Sequence, residues 1–392
     1  MDRDDIERRP APLRRRRVLV LIKCMGHGGA ERLVVSMMRH RDRDRFDYEV
    51  AYVLEDRNTL VPQLRETGVA VHALGARGNQ DLRWTRRLRA LLAEGDFDIV
   101  HSHLPYAATF GRLVASTLPS HHPALVYTEH SMWDKMALVM KAMNRITIGL
   151  DDRLLVVSEA SRQSLPQALR RRARVVEHGI ELEPIREARL RRSELREAVR
   201  AELGLREDEL LVITVAGLRW PKGYDVLLPA ARATLDRGAT VRFAAVGDGP
   251  LRRDLERQHA ALSLKEHFVF LGERDDVPRL LAGADVFVLP SRQEGLPLAL
   301  MEAVSSGLPV VATEVGELPN LLTNGTDALV VPAEQPELLA EALLELVQHP
   351  ELRTRLSTAA LGLAERFDVR RCVREVESVY DELLPQPTAL AR

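Results

Sequence analysis

Short runs of β-branched and apolar residues alternate with segments of helical spacing along nearly the whole chain, and they do so in two series. The first series has runs at 18–23, 48–54, 70–74, 99–101, 125–128, 154–157 and 175–177; the second has them at 211–216, 241–246, 268–271, 286–289, 310–312 and 328–331. Stretches such as 30–39 and 85–93 between them carry helical periodicity. Strands that are apolar on both faces need helices on both sides, and strand–helix–strand crossovers are right-handed, so each series predicts a parallel α/β sheet. The two series are separated by residues 183–204, which are rich in Arg and Glu and lack a strong apolar stripe, and which read as a linker with a lead-in helix. A last helix is expected near 369–384.

Composition removes several classes. The 392 residues are 45% hydrophobic and 29% charged, a globular balance. The apolar runs are far shorter than the roughly 20 residues of a membrane-spanning helix, so a spanning protein is not expected. Residues 1–12 lack the apolar core of a signal peptide, and Cys24 and Cys372 are too few for a disulfide framework. A cytoplasmic chain is therefore expected. Residues 1–195 carry a net charge of +8 and the remainder −9, which makes the first half the candidate for meeting an anionic partner, including the inner face of a membrane. Nucleic acid is not an expected partner. Only five of the 56 basic residues are lysine.

In open parallel sheets ligands bind at the carboxyl ends of strands, so the residues just after each run carry the chemistry. After the first comes Gly26-His-Gly28-Gly29-Ala-Glu31, whose glycines allow close approach to a helix N-terminus suited to an anion. Glu31 stands where a dinucleotide fingerprint needs glycine, so a phosphate- or sugar-facing loop is the better reading. His101-Ser-His103 and Thr128-Glu129-His130 end two neighbouring runs, and histidine suits proton handling or hydroxyl binding near neutral pH. No Cys or carboxylate spacing turns these histidines into a metal site, and the Asp-x-Asp triplets at Asp2/Asp4, Asp42/Asp44 and Asp96/Asp98 read as surface acids.

In the second half, Gly217-Leu-Arg219-Trp-Pro-Lys222-Gly223 places two cations after a strand, a combination that can clamp a pyrophosphate. The strongest element is Glu294-Gly295-Leu296-Pro297-Leu298-Ala299-Leu-Met-Glu302: two glutamates seven residues apart, in a loop that turns into a helix. Its first amides would face a phosphate, and each carboxylate can accept two sugar hydroxyls.

Together with Gly247-Asp-Gly249-Pro250 and Gly272-Glu-Arg-Asp-Asp-Val277, these motifs run in an order that resembles glycosyltransferase family 4, over about residues 17–366. The resemblance implies a GT-B fold, with two doubly wound Rossmann-like domains facing a central cleft. Residues 1–15 would be a flexible tail, 16–185 an acceptor domain, 186–205 the linker and lead-in helix, 206–366 a donor domain, and 367–386 a helix returning to the first domain. It implies a retaining transfer from a UDP-, GDP- or ADP-linked sugar to a sugar or lipid-linked hydroxyl acceptor, in a surface polysaccharide or glycolipid pathway, with no metal or other cofactor. Glu302 would hold the donor ribose and Glu294 the transferred sugar. Arg219 and Lys222 would hold the diphosphate with the amides of 295–299, and Gly272 and Val277 would lie near the base. Gly28, Gly29 and His130 would face the sugar. The chain departs from the family at His178-Gly-Ile180-Glu181, where Asn-Gly-Ile/Val-Asp is common, and at Gly217-Leu-Arg219, where Gly-Arg-Leu is common.

The acceptor side is expected from first-domain loops, with His103, Tyr106 and Trp133 as candidates. The segment 131–148 mixes Met132, Trp133, Met136, Leu138, Val139, Met140 and Met143 with Lys135, Lys141 and Arg145. It reads either as a surface for a lipid-linked acceptor or as an amphipathic helix packed on its own core. Two rival functions remain open at this level: a sugar-nucleotide epimerase or hydrolase, which would consume donor without acceptor, and a non-catalytic nucleotide-sugar-binding protein, which would bind without turnover.

Overall fold

The computed structural model describes residues 14–26, 28–119 and 122–384. The tail up to residue 13 with Asp2 and Asp4, the final residues of the 367–386 segment from 385 on, and His121 lie outside the described residues.

Seven strands form the first sheet: β1 (Arg16–Ile22), β2 (Phe46–Leu54), β3 (Ala70–Ala76), β4 (Ile99–His103), β5 (Ala124–Glu129), β6 (Arg153–Val156) and β7 (Ala173–Val175). Their order is β3-β2-β1-β4-β5-β6-β7. Six strands form the second: β8 (Leu210–Val215), β9 (Val241–Val246), β10 (Phe268–Gly272), β11 (Val286–Leu289), β12 (Val310–Thr313) and β13 (Leu329–Val331), ordered β10-β9-β8-β11-β12-β13. The strand pairs for which a register is given are all parallel, among them Val20 with Val50 and Phe287 with Ile213. In both sheets the order reverses beside the first strand, which creates the switch point where doubly wound folds place ligands. Each of the thirteen expected runs overlaps one of the thirteen strands among the described residues, the run at 175–177 only at Val175.

Strand ends depart from expectation where polar residues do the edge work. β1 begins at Arg16, two residues early, because the guanidinium of Arg16 bonds Asp381 at 2.6 Å and the amide of Arg17 donates to Asp98 at 2.7 Å. That bond also explains Asp98, which ties the start of β1 to the start of β4, while Asp42 accepts the amides of Asp44 and Arg45 in a turn.

The chain packs as two compact units. The first holds residues up to Thr128, Leu138–Leu154 and Val379 onward; the second holds Glu129–Ala137 and Leu155–Ser378. In the first, Leu19, Leu21, Val53, Leu88 and Val100 pack with Trp84 and Phe97. Tyr380 belongs to this unit, against the rings of Phe46 and Tyr48. In the second unit, one side of β8–β12 is lined by Ile213, Phe287, Leu300, Val304 and Ala312, and the other by Val212, Leu227, Phe243, Val288 and Leu343.

The charged stretch expected to be a linker with a lead-in helix is two helices, Leu182–Leu190 and Arg192–Glu202, that pack on the core of the second unit. Leu182, Ile185 and Val199 are buried there, and Val199 lies so close to Gly283 that a methyl group on that glycine would overlap it at 2.5 Å. A few well-placed apolar residues suffice, because Arg196 then reaches Asp285 at 2.6 Å from the helix flank.

Candidate functional site

The loops after β8, β9 and β10 interlock. The amide of Leu218 donates to Asp248 at 3.0 Å, and that of Gly247 to Gly272 at 2.7 Å. Gly272 has φ +70° at the end of β10. Val277, expected near a base, has its side chain 3% exposed in the core and opens the helix Val277–Gly283.

Because β8 and β11 are neighbours, the cationic loop 217–223 meets the loop 290–297. Gly223 has φ +65°, and a Cβ there would stand 1.9 Å from the carbonyl oxygen of Pro290. Only glycine allows this approach. The amides of Arg292 and Gln293 both donate to the carbonyl of Pro221, at 2.8 and 3.3 Å. This close seating brings Lys222 Nζ to 2.8 and 2.9 Å from the two carboxylate oxygens of Glu294. The Glu294 side chain is 4% exposed and that of Lys222 28%. Ser291 Oγ also donates to Glu294, at 2.6 Å. Arg219 lies exposed at the start of the same turn and has no acidic partner among the described residues.

Beyond Glu294 the chain passes Gly295 and Leu296 to Pro297, which caps the helix Leu298–Ser305 with extended backbone. The first amides of this helix have no acceptor within it, by geometry, and carry its positive dipole end. Glu302 follows one turn in, half-buried, while Leu300, Met301 and Val304 anchor the opposite face. His130 approaches the same loop: its carbonyl oxygen would stand 3.1 Å from a Cβ on Gly295. Its ring lies 5.6 Å from that of His178. The second unit therefore gathers Arg219, Lys222, Glu294 and Gly295 around the ends of β8 and β11, with the carbonyl of His130 beside Gly295.

Other expected residues lie elsewhere. Gly28 and Gly29 are in the first unit, at the start of the helix Gly29–His40. The carboxylate of Glu31 folds back over this helix start, so that a Cβ on Gly28 would collide with it, and it accepts from Cys24 Sγ at 3.1 Å. Burial, with Glu31 beside it, pushes the Cys24 thiol up to about 11. His103 is 1% exposed, with its ring 4.3 Å from that of His101. Tyr106 is 6% exposed and spends its hydroxyl on the carbonyl of Asn79 at 2.8 Å. Trp133 is 2% exposed, and its amide donates to Ser164 Oγ at 2.9 Å. These three acceptor-side candidates are packed interior residues of their units.

Arg292, Asp225, Gly316 and Glu317 carry no role in the sequence reading, and His178 enters it only as a departure from the family pattern. Arg292 makes two bonds to Asp225, at 2.7 and 2.8 Å, one to Glu334 at 2.7 Å, and lies over the Trp220 ring at 5.0 Å. It clamps the two site loops together. Its bonds to Asp225 hold that carboxyl below the usual range. Glu317, 2% exposed, accepts the amide of Ala160 at 2.6 Å. Beside it Gly316, at φ +57°, has its α-carbon so close to the Glu294 carbonyl that a Cβ would stand 1.8 Å from that oxygen. His178 is buried and neither ring nitrogen has a hydrogen-bond partner among the described residues; burial pulls it from the ordinary 6.5 to about 4. Position directly after a strand was the available signal for Gly316 and Glu317; Arg292 and Asp225, 67 residues apart, offered none.

Among the described residues no group of three or more His, Cys, Asp or Glu is placed to hold a metal ion, and no helix is long and apolar enough to cross a membrane.

Two doubly wound parallel sheets are the architecture of the GT-B fold. The pattern described as Glycosyltransferase Family 4 matches residues 27–184, and that described as Glycosyl transferases group 1 matches residues 209–349. A D-inositol 3-phosphate glycosyltransferase of Streptomyces bingchenggensis is 30% identical over 315 residues, 74% of this chain and 68% of its own. The UDP-Gal:alpha-D-GlcNAc-diphosphoundecaprenol alpha-1,3-galactosyltransferase of Escherichia coli is 26% identical over 318 residues, 78% of this chain and 80% of its own. Among solved structures, Anabaena HepE in complex with UDP and glucose superposes with a TM-score of 0.81 at 20% identity, covering 94% of this chain and all of that one. The chain belongs to glycosyltransferase family 4 and is a glycosyltransferase.

Proposed function

We propose that the chain transfers a sugar from a nucleotide-diphosphate sugar, with uracil as the base, to a hydroxyl acceptor, and that it does so with retention of anomeric configuration. The observation that carries this reading is the Lys222–Glu294 pair, seated between a second cation, Arg219, and the amino end of the helix Leu298–Ser305. Cation, carboxylate and free amides are the three groups a sugar diphosphate needs. Arg219, Lys222 and the amides of 295–299 take the diphosphate, Glu294 the hydroxyls of the transferred sugar, and Glu302 those of the ribose. The loop at Gly272 and Val277 takes the base, and His130 approaches from the sugar side.

As the glycosidic bond to phosphate breaks, negative charge grows on the leaving diphosphate. Two cations and fixed amide dipoles then stabilise the transition state more than the bound donor, and they do so without a resident metal. The acceptor oxygen bonds to the anomeric carbon and its proton leaves with the phosphate oxygen on the same face, which preserves configuration without an enzymatic nucleophile. Uracil is favoured by the relative that uses UDP-Gal and the neighbour that holds UDP. The relative that acts on a diphosphoundecaprenol-linked sugar favours a lipid-linked acceptor, in surface polysaccharide or glycolipid synthesis on the cytoplasmic face of a membrane.

The test is thermal stabilisation by a panel of UDP-, GDP- and ADP-sugars, with Glu302→Ala beside the parent, followed by NMR assignment of the product's anomeric configuration. Stabilisation by UDP-sugars that Glu302→Ala weakens, and a retained product anomer, are the expected results. Preference for GDP- or ADP-sugars overturns the base, and an inverted product overturns the stereochemistry.

A further inference from the structure

The helix Leu138–Thr147 of the first unit turns buried polar residues inward and leaves part of its apolar surface exposed. Its polar residues point in: Asn144 is fully buried and Thr147 is 5% exposed. Both serve Arg112, a guanidinium 1% exposed. Arg112 Nη1 donates to Asn144 Oδ1 at 2.7 Å and to Thr147 Oγ1 at 3.0 Å, its Nε donates to Asp151 at 2.8 Å, and it lies over the Tyr127 ring at 4.6 Å. Met140 and Met143 are half-buried, Met140 against the core of the unit, but three apolar residues point out: Leu138 is 83% exposed, Val139 74% and Ile146 81%, with Leu150 beyond the helix end at 46%.

At 100° per residue, Leu138, Ala142, Ile146 and Val139 cover an arc of about 100° on the outer face. Lys141 and Arg145 fall within about 60° of Leu138 on one flank. Neither has a carboxylate partner among the described residues. The helix cannot simply roll over to bury its apolar arc. Rolling would strip Asn144 and Thr147 from a buried guanidinium whose unpaired charge is expensive. The outward face is therefore held in place from inside.

We propose that this face, Leu138, Val139 and Ile146 with Lys141 and Arg145 beside them, docks the chain on an anionic lipid bilayer. The apolar residues enter the acyl boundary and the two cations remain at the headgroups. Charge selects this occupant over a second copy of the chain, since two such faces would bring four unpaired cations into one interface. The net charge of +8 on residues 1–195 adds attraction of the same sign. The inference deepens the membrane setting proposed above and gives it a location.

The test is cosedimentation of the full chain with phosphatidylcholine vesicles, with and without about 30% phosphatidylglycerol, in the absence of substrates. The variants are L138S/V139S/I146S and K141E/R145E, each checked for an unchanged melting temperature and for the parent's donor-induced stabilisation. The parent should sediment with the anionic vesicles, and each variant should lose about tenfold or more of that affinity. Failure of the parent to sediment, equal binding to neutral vesicles, or retained binding by the folded triple variant overturns the proposal. So does a parent dimer that the triple variant abolishes without any vesicle binding. Donor stabilisation is read separately, so loss of the docking face leaves the donor site standing.

Discussion

Lys222 and Glu294 are 72 residues apart in sequence, yet the ammonium of one lies within 2.9 Å of both carboxylate oxygens of the other. A donor diphosphate and the hydroxyls of its sugar would each compete for one partner of this pair. In the proposed reading a bound donor would have to separate the pair, which would couple recognition of phosphate to recognition of sugar.

Lys222→Ala should lower turnover roughly 10²–10³-fold, as expected for loss of a group that meets developing charge. It should also destabilise the fold, because the Glu294 carboxylate stays behind with its side chain only 4% exposed. With Lys222 itself partly in water, about 1–2 kcal/mol is the expected cost. Glu294→Gln added to Lys222→Ala should restore stability but not turnover. Urea denaturation and donor-consumption kinetics on Lys222→Ala, Glu294→Gln and the double variant measure both. Additive stability losses would show that the pair is not coupled.

Arg292→Lys should act through loop position. The planar guanidinium bonds Asp225 twice and Glu334 once from a side chain 9% exposed, and a lysine cannot span that fork. Loss of about 2 kcal/mol of stability is expected. Because the clamp holds the 217–223 loop, donor KM should rise more than kcat falls. A fall in kcat alone would place Arg292 in contact with the reacting groups instead.

His178 makes an acid-stability signature. Burial lowers it from 6.5 to about 4, so the folded chain resists a proton that the unfolded chain accepts. The unfolded state then binds more protons between these values, and stability falls as pH drops from about 6.5 to about 4. The full effect is about 3 kcal/mol at 1.36 kcal/mol per unit. Above pH 6.5 this histidine contributes no pH dependence. The variant His178→Asn, which cannot titrate, should lose that part of the slope. Melting temperatures of parent and variant between pH 7 and pH 4 decide it, and parallel curves would refute it. Glu177 opposes the shift, and its own carboxyl is held below the usual range by Arg366.

The fold was legible because a doubly wound sheet writes each strand as its own apolar run. The 294–302 element was legible because its carboxylates, turn residues and helix start are contiguous. Contacts across loops were not. Arg292 with Asp225, and Glu317 with Ala160, join residues 67 and 157 apart, and each looks like an ordinary surface charge in sequence. The 138–147 helix shows a further limit. Its amphipathic spacing is visible, but spacing cannot say which face turns inward, and here a buried guanidinium on a neighbouring helix claims the polar one. The 182–202 helices fall short in the opposite way, since few apolar positions of the pair carry the burial that places them in a core.

Gly316 is a backbone position on which the site loop depends. Its φ of +57° favours glycine, and any Cβ would stand 1.8 Å from the Glu294 carbonyl oxygen, which no side-chain adjustment relieves. Gly316→Ala must therefore push the 294 loop away from the loop after β12. Stability should fall by about 3 kcal/mol or more. Since the displaced segment carries Glu294, the variant should also lose donor-induced stabilisation under conditions where it is still folded. Gly325→Ala separates the two effects: Gly325 has a similar φ of +74° but no atom within 4 Å of its Cβ position, so it should show only the conformational strain, about 1 kcal/mol, and keep donor binding. If both variants lose stability equally and both still bind donor, the close approach of Gly316 to Glu294 does not hold the site loop.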